Sequence, residues 1–167
     1  AYGDQPALIC ELVDWAETCG FEVVCAGKGT KYLPSYHFST PDSVWQHYRL
    51  DAEQIKSGDF NPRMFNSFID GTKSAIEMAA VANATGLKPP PAGLGFPPCG
   101  IDDISAKLIP DKSGGVLEFP GTVEVVSSLR RDATPVMNDL RWGIYVTFSA
   151  SGDYSRRCFK EYGLKTD

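Results

Sequence analysis

Residues 88–100 hold five prolines and several glycines, so neither a helix nor a central strand can run through them. Helical patterns lie ahead of this stretch and strand-like ones behind it. Too little chain stands on either side for two independent cores. The stretch therefore reads as a long surface loop within one domain spanning 1–167. Helices followed by strands in one core give an α/β (α+β) fold, with a mixed sheet covered by helices.

The local signals fill in that frame. Asp4 and Pro6 form a helix start, Leu8, Ile9, Leu12, Val13 and Ala16 recur at helical spacing, and Gly20 supplies the stop. Residues 21–26 read as a short buried strand running into a flexible loop, Gly27-Lys28-Gly29-Thr30-Lys31. Short helices are expected near Val44 to Tyr48 and over 51–56, with a loop at 32–40. The strongest helix pattern runs from Pro62 to Thr85 and stops at Gly86, its alanines permitting close packing. A short helix is expected over 101–108. Strand composition marks 116–117, 123–126 and 142–148, and a closing helix is expected over 153–162.

The net charge of −5 argues against nucleic acid or an anionic membrane surface as the partner, yet leaves room for a local basic pocket. The five cysteines are odd in number, scattered and without a C-x-x-C pair, which suits reduced thiols in a cytoplasmic protein. With only His37 and His47 available, a zinc site is not encoded. No apolar run approaches the roughly 18 residues of a membrane span. The chain opens on Ala1 and enters a helix almost at once, as expected of a fragment of a larger chain.

Two constellations carry chemistry. The first is the 26–31 segment, with two glycines and two cations. It lacks the third glycine of a dinucleotide fingerprint, where Tyr32 stands, and the glycine that a triphosphate loop needs five residues ahead of Gly27-Lys28. No nucleotide-binding residues are assigned. What remains is either a solvated turn or an anion-holding loop whose lysine polarises a carbonyl. The second is Asn66, Asp70, Lys73 and Glu77, which share one face of a continuous helix. That face is either an exposed ion-pair stripe or, given its apolar flanks, a buried set whose charges need each other or a ligand.

Tyr2-Gly3-Asp4-Gln5-Pro6, Ala26-Gly27-Lys28-Gly29-Thr30-Lys31-Tyr32 and Phe68-Ile69-Asp70-Gly71-Thr72-Lys73 through Gly86 together resemble the catalytic half of homoserine dehydrogenase. Over nearly the whole chain the sequence is closest to a homoserine dehydrogenase-like branch, often carrying a C-terminal SAF domain. That branch includes 1-deoxy-D-xylulose 5-phosphate reductoisomerase-like enzymes of the methylerythritol phosphate route to isoprenoids. Homoserine dehydrogenase offers an acid and then a lysine on this helix, whereas here Lys73 precedes Glu77. The reversal favours a phosphorylated or more oxidised substrate.

The resemblance implies the substrate-binding and catalytic domain of an NADP(H)-dependent oxidoreductase. NADP(H) would be bound mainly by an N-terminal Rossmann domain absent from this chain. It also implies a homo-oligomer and a small phosphorylated or hydroxylated substrate. Lys28, Lys31, Asp70, Lys73 and Glu77 are the expected catalytic residues. The lysines would neutralise a phosphate or oxyanion and polarise a carbonyl, while the acids would exchange protons or hold a divalent cation. Asp4, Gln5, Gly27, Gly29, Thr30 and Asn66 are the expected substrate-binding residues. The alternatives are dehydrogenation of homoserine or another hydroxy acid, and a non-catalytic dimerisation module.

Overall fold

The computed structural model describes residues 4–166, so Ala1 and the Tyr2-Gly3 part of the first motif lie outside the described residues. The first element is α1 (Gln5–Thr18). Asp4 caps it by accepting from the Gln5 amide at 3.0 Å, and Pro6 sits in its first turn. Ile9, Val13 and Ala16, spaced by four and three, form its buried face. Gly20 turns the chain out at φ +79° into β1 (Glu22–Thr30).

That strand corrects the first sequence expectation. The expected flexible loop at 27–31 is largely strand, and β1 is the centre of a sheet ordered β2-β1-β3. It pairs in parallel with β2 (Thr122–Ser127) and antiparallel with β3 (Ile144–Ser149). The mixed α/β architecture is therefore as expected. Gly27 lies opposite both Glu124 and Tyr145, and the Tyr145 hydroxyl donates to the Glu124 carbonyl at 2.7 Å. A Cβ on Gly27 would stand 1.7 Å from that carbonyl oxygen, and one on Gly29 would stand 2.1 Å from the Leu140 carbonyl oxygen. These glycines admit neighbouring backbone; they do not loosen a turn.

The helical half follows. Short helices α2 (Val44–Tyr48) and α3 (Ala52–Ser57) precede α4 (Pro62–Ile69) and α5 (Thr72–Thr85). The single helix expected over 62–85 is thus two. Gly71, at φ +95°, breaks it, and Asp70 Oδ1 accepts from the Thr72 amide at 2.8 Å to start the next one. Met78 and Val81 of α5 pack with Ile9 and Val13 of α1 on one face of the sheet, against Ala26, Val123 and Val125. The other face is covered by Cys99, Leu108, Leu117 and Ile104, the last on α6 (Ile104–Lys107). The closing helix α7 (Asp153–Glu161) sets Phe159 edge-on to Phe21 and Phe148. Residues 116–117 make only an isolated bridge through Leu117, and Trp142 precedes β3, where the expected strand began.

The proline-rich stretch is not simply a surface loop. Phe96 and Cys99 within it are buried, and the buried Glu124 carboxylate accepts from the amides of Gly95 and Phe96 at 3.0 and 3.3 Å. Burial pushes the Glu124 carboxyl above its ordinary 4.5, outweighing the opposing pull of those amides and the Val125 amide. The folded chain thus holds this proton more tightly than the unfolded chain. Its contribution to stability is complete below the ordinary glutamate range and is lost as pH rises through the raised folded value. The stability of the wild type relative to Glu124→Gln is accordingly expected to fall as pH rises from about 4 toward neutrality. Chemical denaturation of both proteins across that range checks it, and a gap constant or growing with pH contradicts it.

Candidate active site

Lys28 comes from near the C-terminal end of β1, and its ammonium is almost fully buried. Burial of a lysine requires partners, and α1 and α5 supply them. Its Nζ donates to Gln5 Oε1 at 2.7 Å and to Glu77 Oε2. The other Glu77 oxygen accepts from Lys73, one helical turn earlier, at 3.0 Å. Glu77 is therefore a carboxylate held between two ammonium groups, a trio with one net positive charge. Gln5 also turns its amide nitrogen to the carbonyls of Trp142 and Gly143 at 3.2 and 3.4 Å. One side chain thus ties the start of α1 to Lys28 and to the turn before β3.

In front of this trio lies a cleft of about 70 Å³, bordered by Gln5, Lys28, Lys31 and Lys73. Gly29 and Thr30 form part of its wall, as do Arg141 and Trp142. Lys31 reaches it from just past β1, donating to the His47 carbonyl at 2.7 Å. Its Nζ stands 5.9 and 6.0 Å from the Tyr36 and Tyr48 ring centroids. Burial, and then the guanidinium groups of Arg141 and Arg49, push the Lys31 pKa down. Lys73 is half-exposed over the Phe68 ring, its Nζ 5.0 Å from the centroid.

The predicted residues thus separate into two groups. Lys28, Lys31, Lys73, Gln5, Gly29 and Thr30 meet at the cleft, with Glu77 directly behind the lysines. This concave convergence is what a reactive site requires and a flat assembly face would lack. Asp4, Gly27, Asn66 and Asp70 do not border it. Asp4 caps α1, and Gly27 makes room inside the sheet. Asp70 spends both oxygens locally, on Asn66 Nδ2 at 2.8 Å and on the Thr72 amide. The break at Gly71 is the physical reason: it divides the expected four-residue stripe into an Asn66–Asp70 pair and a Lys73–Glu77 pair. Among the described residues no three His, Cys, Asp or Glu side chains gather as cation ligands.

Sequence reasoning missed Arg141, Trp142, Tyr48 and Ser74, all of which border the cleft. An isolated Arg-Trp pair in a turn carries no motif, so only the fold could bring it there. A larger cavity, about 810 Å³, opens on the other side of the sheet near Ile104, Phe148 and Phe159. Lys28, Lys73 and Glu77 do not line it, so size alone points away from the buried trio.

The fold and cleft define a small α/β domain with a buried lysine–glutamate–lysine trio at one end of a mixed sheet. The chain belongs to the oxidoreductase DRL catalytic-domain family, whose profile matches residues 3–167. It is therefore an oxidoreductase catalytic domain. A search of curated proteins finds no match. No described helix is long and apolar enough to cross a membrane.

Proposed function

We propose that this domain binds and activates the substrate of an NADP(H)-dependent oxidoreductase that acts on a small phosphorylated, sugar-like molecule. Its more specific form is the reductive isomerisation of 1-deoxy-D-xylulose 5-phosphate. The observation that carries the reading is the buried Lys28 ammonium, held by Glu77 and Gln5 and facing a cation-lined cleft. In a water-poor site, such a group polarises a carbonyl and stabilises the oxyanion that forms as the carbonyl carbon is reduced. Glu77 positions Lys28 and Lys73, and the half-exposed Lys73 delivers a proton to the alkoxide and recovers one from solvent.

The 26–32 segment does not suit a dinucleotide. Tyr32 replaces the third glycine of the fingerprint, and the Gly27 and Gly29 backbone lies within the sheet. The cofactor's place is on a separate nucleotide-binding domain, and only substrate binding and proton handling are assigned to this chain. Asp70 and Glu77 likewise spend their oxygens on protein partners, so no step is assigned to a divalent cation.

Two measurements test this reading. The purified 167-residue chain is expected neither to bind NADPH nor to turn over substrate, because its sequence carries no phosphate-cradling glycine motif to hold a nicotinamide against a substrate. Micromolar binding by calorimetry would place the nucleotide site within this chain. The native enzyme that carries the domain is then offered 1-deoxy-D-xylulose 5-phosphate with NADPH, and homoserine with NADP. Oxidation of NADPH by the sugar phosphate supports the proposal. Turnover of homoserine alone supports hydroxy-acid dehydrogenation, the second reading.

A further inference from the structure

Within the proline-rich stretch, Phe96 adopts φ +48°, a region that bulky residues rarely occupy, yet it is only 6% exposed. The backbone around it is held at several points. The buried Glu124 carboxylate accepts from the Gly95 and Phe96 amides, and Arg131 donates to the Gly95 carbonyl at 2.8 Å. The Ser127 amide donates to the Pro97 carbonyl at 2.9 Å. A strained conformation persists only where its surroundings impose it, and such residues cluster beside functional sites.

The ring that this backbone carries stacks on Tyr32, with centroids 3.9 Å apart and planes 21° from parallel. Both rings lie against Gly71: a Cβ there would stand 3.5 Å from Phe96 Cζ and 3.7 Å from Tyr32 Cε2. Tyr32 directly follows Lys31, and Gly71 caps α5, whose first turn carries Lys73. Ser127 Oγ fixes the Tyr32 backbone by donating to its carbonyl at 2.6 Å. Phe96 also shares its core cluster with Met78, the residue after Glu77. The stack thus joins the end of β1 to the start of α5. Those are the two elements that supply the trio, Lys28 from the strand and Lys73 with Glu77 from the helix.

We propose that Phe96 is a positioning residue for the reaction, acting through its stack on Tyr32 to set the spacing between the end of β1 and the first turn of α5. This rests on the functional reading above and deepens it. Glu77 must reach Lys28 from a different element, and a misplacement of about 1 Å in a reacting group can cost roughly a hundredfold in rate. Two flat, stacked rings define that spacing more narrowly than aliphatic side chains with several rotamers would. Neither ring borders the cleft, so the effect passes through α5 to Glu77 and its two lysines.

The test uses the native enzyme with Phe96→Leu, Tyr32→Leu and Tyr32→Phe, the last of which keeps the stack. Leu117→Ala, in the core cluster on the other face of the sheet, is the control for lost stability alone. The first readout is acylation by acetic anhydride, with Lys28 followed against the exposed Lys112 by mass spectrometry. Burial and pairing keep Lys28 slow to react in the wild type. Phe96→Leu and Tyr32→Leu are expected to speed its labelling severalfold as Glu77 moves away, while Tyr32→Phe and Leu117→Ala leave it unchanged. In the same two leucine variants kcat is expected to fall about tenfold or more, with KM within about threefold of the wild type. If Phe96→Leu fails to fold, Tyr32→Leu, at a partly buried position, carries the test. Labelling that stays at the wild-type rate in the leucine variants overturns the proposal, as does labelling that rises equally in Leu117→Ala. A normal kcat in variants whose Lys28 is labelled faster overturns it too. Labelling needs no turnover, so Phe96 is judged even if no phosphorylated sugar is reduced, an outcome that would sink the functional reading alone.

Discussion

Lys28→Ala is expected to lower turnover of the native enzyme by about 100-fold or more, the scale seen when a donor to a developing oxyanion is removed. The same change strands the buried Glu77 carboxylate on α5 with only the half-exposed Lys73 as partner. Removing one member of a buried ion pair costs about 3–5 kcal/mol, so loss of activity alone would not separate chemistry from folding. The double variant Lys28→Met with Glu77→Gln separates them. It leaves no uncompensated buried charge, so much of the lost stability is expected to return while turnover stays low. If the double variant regains turnover together with its melting temperature, Lys28 is a structural residue and the assignment fails.

The second large effect is expected from the smallest change, Gly27→Ala. The added methyl would stand 1.7 Å from the Glu124 carbonyl oxygen and 3.0 Å from the Tyr145 hydroxyl, where no L-residue fits without parting the strands. Central strands cannot yield cheaply, because both neighbours are hydrogen-bonded and both faces are packed. A cost of at least about 3 kcal/mol is expected, enough to remove much of the stability of an ordinary domain. Urea unfolding gives the direct measure. A near-wild-type midpoint would mean that Gly27 serves as a loop residue after all. Gly20→Ala is the useful comparison: nothing lies within 4 Å of its Cβ position, so only the strain of its positive φ remains.

Much of the frame was legible from composition and spacing. Asp4, Pro6 and Gly20 marked α1 because capping and stop signals are local, satisfied within a turn of the residue that carries them. The helix expected over 51–56 was legible for the same reason, with Asp51 capping α3, and the run 144–148 read as strand through its β-branched and aromatic residues. Lys28, Lys31, Lys73 and Glu77 could be singled out because cations beside glycines and acids at helical spacing are visible in one dimension.

What only the tertiary structure decided were features set by distant backbone. Gly27-Lys28-Gly29 looks like a loop because glycine favours turns, and only the positions of Glu124, Tyr145 and Leu140 show that it is the close-packed centre of a sheet. Asp70-Gly71 looked like a tolerated weakness in one helix. Whether a glycine bends, caps or merely weakens depends on its φ, and at +95° it ends one helix and starts another, removing Asp70 from the cleft. Arg141 is the extreme case. It lies 110 residues beyond Lys31 in the chain, with nothing in its local sequence to mark it, and reaches the cleft because β3 runs antiparallel beside β1. Sequence by itself determined which charges this protein possesses and where α1 and α4 begin. Strand pairing, which joins residues far apart in the chain, decided which of those charges meet.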